Sequence, residues 1–162
     1  VENSEFRADH IEVIEKGALK TEHTFSSVAE VLGTLTLKAS RAEGVFQDAG
    51  GGVGTLKRTS IWKSNYEWLQ DGRAAGTAVP RGKLSRAFNI SFEGKSYGLF
   101  PGGNTFRSWT LKDTQDVAIC EIRPRGAFKR GALIGIMGQL PLALVAFSYC
   151  LVSQRWQEAA TA

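Results

Sequence analysis

Cysteine and histidine are scarce in this chain: among 162 residues there are two of each, Cys120, Cys150, His10 and His23. Two cysteines cannot build the disulfide-dense scaffold of a small secreted domain, and no ligand spacing of the zinc kind exists. A reduced compartment is therefore expected, and a metal site is not. Both histidines fall in the acidic N-terminal third, and no short-range pairing of either with serine, cysteine or aspartate resembles a catalytic signature. No enzymatic activity and no cofactor are expected on these grounds. Charged residues are only 22% of the chain against 43% hydrophobic, which excludes wholesale disorder. Low-complexity tracts and long linkers are absent, and Val1-Glu2-Asn3-Ser4-Glu5 is too polar to begin a signal peptide. The length suits one domain over residues 1–162.

What is present is mostly short-range alternation. Phe88, Ile90 and Phe92 alternate with Asn89 and Ser91. Val31, Leu35 and Leu37 do so with Thr34 and Thr36, and Ile11 with Val13 around Glu12. Further strand-like stretches surround Val45, Leu56 and Trp62, and cover 66–69, 74–79, 97–100, 106–111 and 117–122. Turn chemistry separates them: Gly50-Gly51-Gly52, Asp71-Gly72, Glu93-Gly94 and Pro101-Gly102-Gly103. Roughly ten to twelve short strands at this spacing predict an all-β barrel or sandwich. The glycine cluster at 50–54 is not a phosphate loop, because Leu56 stands where a glycine must precede Lys57 and no crossover helix follows.

The chain's formal charge of +4 is an average over unlike parts. Residues 1–50 carry 5 Lys or Arg against 9 Asp or Glu, residues 51–130 carry 14 against 6, and residues 131–162 carry only Arg155 and Glu158. A basic middle leading into a nearly uncharged tail predicts an anionic partner.

Residues 131–154 form that tail, 24 residues without one charge. Taken whole it is long enough to span a bilayer. Gly138 and Pro141 divide it, however, into a last strand at 132–137 and a helix at 141–156, with proline at the first turn where its missing N–H costs nothing. Apolar residues cover every face of that helix, so protein or lipid must enclose it. The hydroxyls of Ser148 and Tyr149 and the Cys150 thiol then need partners inside or at the mouth of whatever surrounds them.

The run Pro141-Leu142-Ala143-Leu144-Val145-Ala146-Phe147, with Leu151 beyond it, resembles the hydrophobic C-terminal helix of the tubby domain. Arg155-Trp156-Gln157 stands where that family carries Phe-Asp-Gly. The resemblance implies the fold shared by tubby domains, phospholipid scramblases and LURP-one-related proteins: twelve strands closed around one C-terminal helix. It also implies recognition of phosphoinositides through basic side chains.

The expectation is therefore a mainly β protein, an approximately twelve-stranded closed barrel with strands across 9–138 and a central helix at 141–156. Its expected role is a non-enzymatic binding module, cytoplasmic and peripheral to a membrane. Arg123, Arg125, Lys129 and Arg130, which bracket Phe128, are the first candidates for contacting anionic phospholipid or phosphoinositide; Lys57 and Arg58, beside Trp62, are second. Nucleic acid, which would need Trp62 or Trp109 as a stacking platform, ranks below lipid, and Trp68 and Trp109 read as core or rim residues. The alternative is a tail-anchored protein with helix 141–156 in the bilayer and a β-domain for protein partners.

Overall fold

The computed structural model describes residues 9–60, 62–102, 107–126 and 129–161. Phe106, Phe128 and Gly103, which figure in the sequence reading, lie outside the described residues. Alternating burial carries the chain through twelve strands. They are β1 (His10–Lys16), β2 (Thr21–Ser26), β3 (Val31–Leu37), β4 (Gly44–Asp48), β5 (Val53–Arg58) and β6 (Tyr66–Gln70). They continue with β7 (Arg73–Pro80), β8 (Phe88–Phe92), β9 (Lys95–Pro101), β10 (Trp109–Lys112), β11 (Ala118–Gly126) and β12 (Lys129–Ile136). In β8 the period of two is complete: Phe88, Ile90 and Phe92 are buried, Asn89 and Ser91 exposed. Each strand pairs antiparallel with the next, and β12 returns to β1 with Val13 opposite Ala132, so the sheet closes as a barrel. Closure satisfies every strand edge and leaves none open for pairing with another chain.

One helix, α1 (Leu142–Thr161), fills the barrel. Its five consecutive residues Leu144, Val145, Ala146, Phe147 and Ser148 are all 0% exposed, which only enclosure on every side can produce. Inward aromatics pack on it: Phe25 meets Tyr149 edge-on at 5.2 Å, and Trp68 lies 5.5 Å from Phe147. Glycine makes room for them in the wall. A Cβ at Gly54 would overlap the Trp68 indole, and one at Gly76 would press on Phe92 and approach Phe147 to 3.2 Å.

The last strand, the turn before Pro141 and the terminal helix stand as expected, but the helix continues to Thr161 and β12 begins at Lys129. Two strand assignments differ. β2 had no counterpart in the sequence reading, because two of its inward residues, Thr21 and His23, are polar. Trp62 is in no strand; it stands exposed between β5 and β6. The helix-in-bilayer alternative is corrected: α1 is wrapped by protein, and no helix among the described residues is long and apolar enough to cross a membrane.

The topology sorts the connections. In a closed meander, every odd-to-even connection falls at one end of the barrel and every even-to-odd connection at the other. The helix starts after β12 at the even-to-odd end and runs back through the barrel, so its C-terminus emerges at the odd-to-even end. These are the entry end and the exit end of the helix.

Candidate functional site

Charge separates by barrel end. The connections at the exit end carry Lys20, Lys38, Arg41, Lys63, Arg81, Lys83, Arg86 and Arg107, with Glu43 the lone acidic residue among those described. The connections at the entry end carry Glu30, Asp71, Glu93, Asp113 and Asp116 and, among the described residues, no Lys or Arg. Cations at strand termini on the entry side are Arg73, Lys95 and Lys112, of which Lys112 pairs with Asp116 at 3.4 Å. At the exit end the strand termini add Lys16, Arg58, Lys129 and Arg130. One rim of the barrel is thus strongly basic and the opposite rim acidic, a dipole that focuses anions on the first.

A cavity of about 460 Å³ opens at the basic rim between α1 and the β11–β12 wall. Glu15, Arg41, Arg107, Lys129 and Arg130 line it, and α1 contributes Tyr149, Ser153, Trp156 and Gln157. Tyr149 and Ser153 are four residues apart, and Trp156 and Gln157 follow Ser153 by three and four, so all of them share one face of the helix. On the wall, Arg-Pro-Arg-Gly at 123–126 produces a register shift between Pro124 and Gly126. Proline has no N–H to give the ladder, so the pairing is irregular there, and the strand bends as it reaches the rim.

Glu15 organises the cations. Its carboxylate accepts from Arg41 at 2.8 Å and from Arg130 at 2.6 Å, and the Arg41 guanidinium also donates to the Ser153 hydroxyl. Burial works to raise the Glu15 pKa, but the two guanidiniums outweigh it and hold the carboxyl below its usual range. Arg107 and Lys129 have no acidic side chain within ion-pair distance among the described residues. The cavity therefore keeps a surplus of positive charge after its internal pairing.

Behind the cavity Tyr149, His23 and Thr21 satisfy one another in a chain, whereas the buried Ser148 hydroxyl has no partner among the described residues. Tyr149 and the His23 Nδ1 share a hydrogen bond of 2.6 Å, and His23 Nε2 and the Thr21 hydroxyl one of 2.8 Å. Burial drives the His23 pKa down to about 4, against the nearby Glu15 carboxylate at 3.7 Å, so the ring is neutral at physiological pH. Tyr149 is pushed well above its ordinary value by burial and stays a phenol. Cys120, raised to about 12, and Cys150 are buried thiols that pack rather than react.

The end of α1 ties the basic loops to the core. Trp156 Nε1 donates to the Arg107 carbonyl at 2.8 Å and Gln157 Nε2 to the Ala39 carbonyl at 3.2 Å. Arg155 lies 4.5 Å over the Phe88 ring, donates to the Arg86 carbonyl and pairs with Glu158 at 3.0 Å. Arg155-Trp156-Gln157 thus anchors three loops of the exit rim.

Of the six predicted residues, the structure brings Arg125, Lys129 and Arg130 together at this rim. Arg125 donates to the Arg130 carbonyl at 3.2 Å and pairs with Glu12 at 3.6 Å. Arg123 points out from the wall into a separate groove that it shares with Glu12 and Glu121. Lys57 and Arg58 line another outer groove with Lys20 and Lys38. Sequence reasoning missed Glu15, Arg41 and Arg107. The signal that could have found the cavity is the polar spacing Tyr149, Ser153, Gln157 along the helix.

A crystal structure of a protein from Arabidopsis thaliana superposes on this chain with a TM-score of 0.65, covering 94% of this chain and 95% of that one at 12% sequence identity. The likeness is one of fold. No protein-family model matches the sequence, and no curated protein does. The Arabidopsis structure therefore speaks for the barrel and its helix, not for the cations at the rim.

Proposed function

We propose that the protein is a non-enzymatic binding module that docks its helix-exit rim on the anionic headgroups of a membrane, phosphatidylserine or phosphoinositide. The observation that carries this reading is the charge split: eight cations against Glu43 in the connections of one rim, five anions in those of the other. Long-range attraction orients such a molecule before contact, and the acidic end is turned to solvent. Near an anionic surface each cation contributes about 1 kcal/mol. The cavity beside α1 gives a phosphate group a place among Arg41, Arg107, Lys129 and Arg130.

Replacing Arg107 and Lys129 together by alanine removes two cations without breaking an ion pair among the described residues. The expected result is about 2 kcal/mol weaker binding, roughly a thirtyfold loss, to vesicles containing phosphatidylserine or a phosphoinositide. Sedimentation against neutral phosphatidylcholine vesicles supplies the baseline. Equal binding of the unaltered protein to neutral and anionic vesicles would overturn the reading. A loss with the phosphoinositide alone would identify headgroup recognition in the cavity rather than a diffuse surface effect.

A further inference from the structure

Exposed apolar side chains are ordinary when scattered singly. At the basic rim they are not scattered. Leu19, Trp62 and Leu84 are 79%, 88% and 101% exposed, and each occupies a different connection of that rim: β1–β2, β5–β6 and β7–β8. Each is the immediate neighbour of a lysine: Lys20, Lys63 and Lys83. At the entry end the exposed apolar residues keep different company: Val28 and Val31 flank Glu30, Val117 is next to Asp116, and Met137 stands between Ile136 and Gly138, none of them beside a lysine.

Around the barrel the three connections are separated by four, two and six strands, so the tips form a triangle about the mouth rather than a line. Three such points define a plane across the barrel axis. A planar array of apolar tips, each with a cation beside it, matches the chemistry of a lipid interface, where apolar and indole side chains enter the acyl boundary and lysines stay among the headgroups.

We infer that Leu19, Trp62 and Leu84 insert into the outer acyl layer of an anionic bilayer and hold the barrel with its axis across the membrane plane, helix exit down. This rests on the membrane-docking reading above and adds to it a depth and an orientation. It requires no rearrangement of the barrel, since the tips already project beyond the ladders. The cations draw the rim down and the tips slow its release.

Trp62 supplies the probe. Trp68 and Trp109 are buried, and Trp156 is half-buried and donates to the Arg107 carbonyl, so the fully exposed indole is Trp62, and the Trp62→Phe variant separates its signal from that of Trp156 in the cavity. On mixing the full chain with phosphatidylcholine–phosphatidylserine vesicles, its emission is expected to shift to shorter wavelength and to be quenched by lipids brominated on the acyl chain. Trp62→Phe abolishes the shift and retains binding. Leu19→Glu and Leu84→Glu, on exposed tips outside the core, each weaken binding by about tenfold. Full-strength binding of both glutamate variants, with no Trp62 shift in the unaltered protein, overturns insertion while leaving electrostatic docking in place. Failure of the unaltered protein to bind anionic vesicles at all overturns both.

Discussion

Phe147→Ala is expected to cost about 3–5 kcal/mol of folding free energy, toward the upper end of what buried aromatic truncations cost. The reason is the enclosure. Phe147 is 0% exposed, with Trp68 at 5.5 Å and Phe92 at 6.5 Å between ring centres. The loss of a phenyl group leaves a cavity, and its cost depends on how far the surroundings can relax into it. A helix on a protein surface can shift toward the void. Here the walls are a closed ring of hydrogen-bonded strands, and Gly54 and Gly76 already bring the backbone as close as the aromatic rings allow. The cavity therefore persists. Urea unfolding of Phe147→Ala and of the control Leu84→Ala checks it, the control staying within about 0.5 kcal/mol because Leu84 is fully exposed. A penalty below about 1 kcal/mol for Phe147→Ala would mean that the helix is not held inside the barrel.

The same enclosure explains which parts of the molecule were legible in the sequence. Where both walls and helix bury only apolar groups, the period is plain, as in Phe88, Ile90 and Phe92, and the all-round apolarity of residues 142–152 already demanded something wrapped around them. β2 was invisible because Thr21 and His23 face inward and are satisfied by each other and by Tyr149, a partner 126 residues from His23. No local pattern reports a hydrogen bond across that distance. Trp62 misled in the other direction: an aromatic beside Ile61 and between polar residues looks like a strand residue, yet it stands exposed in the connection between β5 and β6.

Counting charge along the chain hides its distribution in the fold for a related reason. Counting along the chain divides it into an acidic third and a basic middle, yet Lys20, Lys38 and Arg41 from the acidic third join the basic rim. Asp71, Glu93, Asp113 and Asp116 from the basic middle go to the opposite one. What sorts them is the parity of the connection they occupy in the meander, and that emerges only once the strand order is known. Arg123 shows the limit of clustering by sequence: it lines the outer groove with Glu12 and Glu121 rather than the cavity beside α1, and Arg125 reaches Glu12 from the same side while also donating to the Arg130 carbonyl.

Acid is expected to destabilise the fold through His23. Its pKa is about 4 in the folded protein and near the ordinary 6.5 when unfolded, with burial the main cause. The unfolded chain thus binds more protons between those values. Stability is present in full above about pH 6.5, falls as pH drops through the window, and levels below about pH 4. At about 1.4 kcal/mol for each unit of that depression, the total is about 3 kcal/mol. Arg41 and Arg130 stand with Glu15 beside the ring, so an imidazolium there would compete with both guanidiniums for one carboxylate. His23→Gln keeps a polar group toward Tyr149 and Thr21 and cannot titrate. Carboxylates elsewhere lower stability in acid in both proteins, so the informative quantity is the difference between them. Urea midpoints of the unaltered chain and of His23→Gln, compared at about pH 7.5 and about pH 4, should converge or cross as pH falls. Parallel curves across the window would show that His23 enters the folded barrel as readily charged as neutral, and would remove the physical reason for its place between Thr21 and Tyr149.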